Sequence, residues 1–308
     1  MKHLQALAIA FAALTFTGCD STPKAAVGAP DPSQARYATP QAAVDALAAA
    51  ARSGDRAALA KVLGPHYTAL QTGDAVEDDK ALQRFSAELG RRSDIVEMPD
   101  GIMALRVGAE EAFFPVPLVH GADGWFFDTE VGVAEMHLRR VGANELFTIA
   151  VLRALVDAEF AYASADRDHD GVTEYAQRLS STPGTIDGLS WLPQEASNDP
   201  MGPVGPGLAS AWIDAPGAAA KPYHGYFYRL LTKQGPGAAG GAIDYMVDGN
   251  LTRGFAFVAY PAVYAQTGVM TFMVGADGVV YEFDLGDGTT AMARSIVNFD
   301  PTGWRRTE

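Results

Sequence analysis

The chain has 308 residues, with 23 basic side chains against 37 acidic ones, a net charge of −14 and a single cysteine. An acidic surface repels phosphate backbones and anionic lipid and attracts cations, which argues against nucleic acid as a partner. One thiol excludes disulfides and Cys-ligated zinc, while a hydrophobic fraction of 48% suits a globular chain long enough for two modest cores.

Met1-Lys2-His3 is a small positive start, Leu4 to Phe16 is an apolar stretch too short to anchor stably across a bilayer, and Thr17-Gly18 sets small residues before Cys19. Residues 1–18 therefore resemble a bacterial lipoprotein signal. The resemblance implies cleavage before Cys19, a diacylglycerol on its sulfur and an acylated amino group, so that two or three chains tie the protein to a membrane. An ordinary secretory signal with an incidental cysteine is the alternative, and either one exports the chain. Asp20 resembles the retention signal of enterobacterial-type lipoproteins, which favours a periplasmic position on the inner rather than the outer membrane. Residues 19–37 are rich in Pro, Ala and small polar side chains without an apolar period, the composition of a disordered tether.

Residues 38–130 read as a first folded unit. Thr39-Pro40 pairs an N-cap with Pro at the first helical position, and Ala43, Val44, Leu47 and Ala50 recur at helical spacing up to Gly54. Asp55 caps a second helix stopped by Gly64-Pro65, and a third is expected from Val76 to Leu89. Strands follow at Met103–Val107, Ala112–Val119 and Trp125–Phe127, the last two joined by a Gly-containing turn over 120–124. Helices followed by a short antiparallel sheet make an α+β unit. Its opening, ATPQAAVDALAAAARSGDRAALAKVLGPHY, loosely resembles NTF2-like (cystatin-like) domains.

Residues 131–308 read as a second unit. Leu146, Phe147, Ile149, Val151, Leu152, Leu155, Val156 and Phe160 predict a helix from Asn144 to Ser164, apolar on more than one side and hence buried between layers. Residues 180–222 have many Gly and Pro and predict an irregular flap. Tyr226–Leu231, Ile243–Val247, Phe255–Tyr260, Val269–Val274 and Val279–Phe283 predict a five-stranded antiparallel meander, with Gly235–Gly241 a mobile loop within it.

Four segments of the chain carry a wider resemblance: FDTEVGVAEMHLRRVGANEL, YASADRDHDGVTEYAQRLSSTPGTIDGL, PYHGYFYRLLTKQGP and GFAFVAYPAVYAQTGVMTFMVGADGVVYEFDLG. Through them residues 127–304 resemble the DUF2950 family of bacterial envelope proteins, a family that brings no established activity with it. The helix followed by a sheet is also similar to pilin and pseudopilin heads. A lipobox in place of the polymerising prepilin helix restricts that similarity to the fold.

The sharpest chemical pattern is Asp166-Arg167-Asp168-His169-Asp170-Gly171-Val172-Thr173-Glu174, placed between an entering helix and a predicted leaving one. Calcium takes six to eight hard oxygens, and Asp166, Asp168, Asp170, the Val172 carbonyl and Glu174 could supply them around the turn at Gly171. The twelfth position is Gln177 and not the bidentate Glu of an EF-hand, so Glu174 or a residue from elsewhere would close the shell. The bland alternative is a solvated turn that ends a helix. Arg153 and Asp157, one turn apart, read as a structural salt bridge. His224, set between Tyr223 and Tyr226, could be a base or simply a packed ring. The aromatics Tyr226, Tyr228, Phe255, Phe257 and Phe272 read as core before they read as a sugar platform.

These patterns lead to a lipid-anchored, non-enzymatic envelope module with a calcium-stabilised loop, which binds an envelope protein or polymer. Two other classes stay open: a hydrolase using Asp157, Glu159 or His224 in a cleft, and an accessory protein of a secretion or pilus apparatus.

Overall fold

The computed structural model describes residues 31–71, 75–98, 101–167, 170–182, 184–191, 202–211 and 220–307. Cys19, Asp168 and His169 lie outside them. The chain divides into two compact units on either side of the Gly132–Val133 bond. Both combine helices with antiparallel sheets, an α+β fold.

The first unit begins with α1 (Pro40–Ser53) and α2 (Arg56–Leu63). Thr39 Oγ1 accepts from Ala42 N at 3.2 Å, and Asp55 Oδ1 accepts from Ala57 N at 2.8 Å and Ala58 N at 3.2 Å, so side chains satisfy backbone donors left over at each helix start. Gly54 ends α1 with a φ of 67°, a left-handed cap that a side chain would strain. A 3-10 turn (Pro65–Leu70) leads to α3 (Ala75–Arg91). The sheet holds β1 (Ser93–Glu97), β2 (Met103–Val107), β3 (Ala112–Phe113), β4 (Leu118–Gly121) and β5 (Gly124–Phe127) in the order β1-β2-β4-β5, with β3 also paired to β2. Leu47, Leu59, Leu105, Leu118 and Phe127 form its fully buried centre. The predicted strand over 112–119 is in fact broken between β3 and β4, because Pro115 and Pro117 have no N–H to give a ladder.

The second unit is organised by α4, which runs from Thr129 to Tyr162 and so starts fifteen residues ahead of the predicted helix, inside the first unit. Asp128 caps it, accepting from Val131 N at 3.2 Å. After α5 (Pro206–Ala209) come β6 (Tyr226–Leu231), β7 (Lys233–Gln234), β8 (Ile243–Asp244), β9 (Met246–Val247), β10 (Asn250–Leu251), β11 (Ala256–Pro261), β12 (Met270–Gly275), β13 (Val280–Asp284), α6 (Thr289–Ser295) and β14 (Arg305–Arg306). The main sheet is antiparallel in the order β14-β13-β12-β11-β6, with Val258 opposite both Arg229 and Met273. Residues 243–247 therefore do not enter the meander. Asp244 Oδ1 accepts from Met246 N at 3.1 Å, bending the segment at Tyr245 into two short ribbons, β7–β8 and β9–β10.

One face of the sheet packs on α4: Tyr226, Tyr228, Phe257 and Phe272 share a core with Val151, Leu152, Leu155 and Tyr162. The five aromatics predicted as core are at most 1% exposed. Polar side chains of α4 hold the loop before β12. Glu145 Oε1 accepts from Val269 N at 2.8 Å and Met270 N at 3.0 Å, and Asn144 Nδ2 donates to Thr267 O at 2.9 Å. The helix is buried over part of its surface only: Leu138, Leu146 and Phe160 are exposed, whereas Val151, Leu152, Leu155 and Val156 lie in a core shared with the sheet and with Leu189, Trp191 and Val204.

The Gly235–Gly241 loop is tied down instead of loose. Gln234 Nε2 donates to Ala239 O at 2.8 Å and Gly241 O at 2.6 Å, and Asp300 accepts from Gly237 N at 3.2 Å. Glycine at 237 is required by close approach, since a Cβ there would lie 1.8 Å from Thr302 Oγ1.

Candidate functional site

The acidic segment starts where α4 ends. Arg167 reaches back to the last carbonyls of the helix, with Nε donating to Tyr162 O at 3.2 Å and Nη2 to Ala161 O at 3.1 Å, where a cation complements the helix dipole. Its guanidinium also lies over Trp191, 5.7 Å from the ring centroid. Beyond it the chain winds on itself. Asp166 Oδ2 accepts from Gly171 N at 3.0 Å, Asp170 Oδ1 accepts from Val172 N at 2.7 Å, and Gly171 takes a φ of 91° that favours glycine.

The residues that follow depart from expectation, because no helix leaves the loop. Residues 172–177 instead form an arm laid against the β9–β10 ribbon. Tyr175 N donates to Leu251 O at 2.9 Å, Leu251 N donates to Glu174 Oε2 at 2.9 Å, and Gln177 Nε2 donates to Gly249 O at 2.8 Å. Asn250 Nδ2 donates to Asp170 Oδ2 at 2.8 Å, fastening the acidic turn to the same ribbon. Backbone groups committed to a neighbour cannot also close the i to i−4 bonds of a helix.

The other side of the arm meets α4. Glu159, 1% exposed, accepts from Ala176 N at 2.8 Å. Loss of water pushes its carboxyl well above the usual range; the Ala176 N–H opposes this, and the nearby Glu174 charge adds to it. Two carboxyl groups thus hold the arm from opposite sides, Glu159 through Ala176 and Glu174 through Leu251.

Of the predicted calcium ligands, Asp166 and Asp170 are brought together around Gly171, with Asp166 half-buried and Asp170 and Val172 exposed. Glu174 is buried, with Oε2 committed to Leu251 N. Asp168 lies outside the described residues. Among those residues no group of three or more His, Cys, Asp or Glu side chains converges on a common point. Nothing in the sequence marks Leu251 as a partner of this segment, and Gln177 stands out there only as a departure from the EF-hand position. Asp248-Gly249-Asn250 has the composition of a turn, but nothing in it marks a pairing with a loop eighty residues earlier.

His224 sits elsewhere. It occupies a two-residue turn with positive φ at both His224 (46°) and Gly225 (79°), closed by paired hydrogen bonds between Tyr223 and Tyr226. Its ring lies 3.8 Å from that of Phe147. Phe147 precedes Glu159 by twelve residues on α4, about 18 Å along the axis. Arg153 and Asp157 are both exposed, which puts the expected pair in solvent instead of in the core.

Residues 34–307 match the model of DUF2950, described as a protein of unknown function. The chain belongs to the DUF2950 family. The match takes in the first unit as well as the second, whereas the motifs placed the resemblance on residues 127–304 alone. No curated protein and no solved structure matches this DUF2950 chain. Among its described residues no helix is long and apolar enough to cross a membrane.

Proposed function

We propose that the protein is a lipid-anchored, non-enzymatic module of the bacterial envelope, held by Cys19 on the periplasmic side, in which the 166–174 loop binds calcium and fixes a surface for an envelope protein or polymer. Asp166, Asp168 and Asp170, the Val172 carbonyl and Glu174 form the proposed shell. The observation that carries the reading is the turn at Gly171: Asp166 accepts from Gly171 N, and Asp170 is fastened through Asn250 to the β9–β10 ribbon. Carboxylates on residues held in this way lose less freedom when they take up a calcium ion. Acidic net charge adds to the local cation concentration.

Geometry gives the hydrolase alternative no support. Glu159 is sealed under the arm, Asp157 is exposed, and His224 stacks on Phe147 about three turns of helix from Glu159. A general acid and base must both reach one substrate, and these groups do not share a cleft.

Calorimetric titration of calcium into protein lacking residues 1–20, with a parallel melting curve, tests the reading. A hundredfold excess over Kd stabilises by about 2.7 kcal/mol, several degrees in Tm, in the wild type and not in Asp168→Ala/Asp170→Ala. Absence of binding at millimolar calcium reduces the loop to a helix-ending turn.

A further inference from the structure

α1 and α2 leave between them a hollow of about 470 Å³, open to solvent, whose lining includes Ala46, Ala49, Ala50, Ala58, Tyr37 and Lys61. That volume lies within the range of small-molecule sites, whereas a hollow of about 170 Å³ beside Tyr223 in the second unit falls below it. Packed helices ordinarily fill such a gap with branched side chains; here Val62 is the one branched residue of the lining, and four alanine methyl groups leave the rest open.

Two polar groups on the lining have no partner among the described residues. Lys61, exposed in the last turn of α2, has no carboxylate within ion-pair distance. Tyr37 is half-buried. Its backbone pairs with Trp125 at 2.9 and 2.8 Å, yet its phenol meets no acceptor or donor, and burial pushes that phenol above its ordinary range. An unpaired ammonium in a chain of net charge −14, a neutral hydroxyl donor and an apolar floor are complementary to a short hydrocarbon chain that ends in an anion.

We propose that the hollow between α1 and α2 binds an unbranched aliphatic monocarboxylate, with its chain along the alanines and its carboxylate at Lys61 Nζ and the Tyr37 hydroxyl. Such a ligand buries methylenes against the methyl floor and gives the Lys61 ammonium and the Tyr37 hydroxyl one shared acceptor in place of water. The site is independent of the acidic loop and stands or falls separately from calcium binding.

Hexanoate, octanoate and decanoate titrated into the full protein, followed by calorimetry and amide NMR, provide the test. Each methylene tightens binding about fourfold, so each two-carbon step gains roughly sixteenfold. Ala49→Phe, which fills the hollow from an exposed position, abolishes binding. Lys61→Gln weakens octanoate about tenfold and removes its advantage over octanol, while the melting curve is unchanged. Affinity independent of chain length, unaltered binding in Ala49→Phe, or no binding at millimolar decanoate overturns the proposal. Should Ala49→Phe melt early, the chain-length series and the octanoate-to-octanol ratio in Lys61→Gln decide the matter alone.

Discussion

Replacing Glu159 by glutamine changes how the stability of the second unit depends on pH. The glutamate is 1% exposed and its carboxyl is held well above its ordinary range, first by loss of water and further by Glu174, against the Ala176 N–H. The folded protein therefore binds a proton that the unfolded chain has released once pH exceeds the unfolded carboxyl's pKa. Stability from this group is complete below the unfolded pKa and is lost as pH rises towards the folded one. The slope between the two is at most one proton, about 1.4 kcal/mol per pH unit. A glutamine side chain keeps the volume and the acceptor for Ala176 N without a charge to bury, so this component vanishes. Urea unfolding at half-unit steps from pH 5 to 8 measures the difference. Wild type and Glu159→Gln converge at the acid end, and the variant gains steadily on the wild type as pH rises. Parallel curves across that window would show that Glu159 is no more costly to ionise in the fold than in the unfolded chain, and would refute the reasoning.

Two glycines on α4 give opposite outcomes. Gly142→Ala meets nothing within 4 Å and raises stability by about 0.5–1 kcal/mol, whereas the Cβ of Gly132→Ala lies 2.5 Å from Val116 Cγ2 and lowers it by about 1–3 kcal/mol, both read from chemical melts. Phe257→Ala, at a site 1% exposed under α4, costs about 3–5 kcal/mol and drops Tm by roughly 10 °C in a calorimetric scan.

The helices of the first unit were legible because their ends are written in side chains: Thr39-Pro40, Asp55 and Gly54 act within four residues of where they stand. β1 was missed because Ser93-Asp94-Ile95-Val96-Glu97 has two adjacent apolar residues and no alternation, and only pairing with Met103–Val107 makes it a strand. The early start of α4 was readable in Asp128 and Glu130, but Gly132 and Gly142 lower helix propensity and hid it. At the candidate site, the alternating carboxylates were plain, and so was a glutamate within an apolar helix. Their partners were not, because Ala176 and Leu251 contribute backbone N–H groups, which any residue except proline carries. The aliphatic hollow likewise left no motif, since an alanine that lines a gap reads like an alanine that simply favours helix.

Strand β11 is buried at all six positions, Ala256 to Pro261, and carries no charge. Before folding, that segment combines high β-propensity, apolarity and neutrality, the profile of a sequence that associates with copies of itself. Its neighbour β6 is made earlier in the chain, but β12 follows only after a further eight residues, so one edge stays open until synthesis has passed Gly275. Arg253 and Gly254 on one side and Pro261 on the other act as gatekeepers that shorten the exposed stretch. An interior strand of the finished sheet is thus also an aggregation hazard for the newborn chain, and any substitution that delays β12 raises the yield of insoluble protein before it alters the native state.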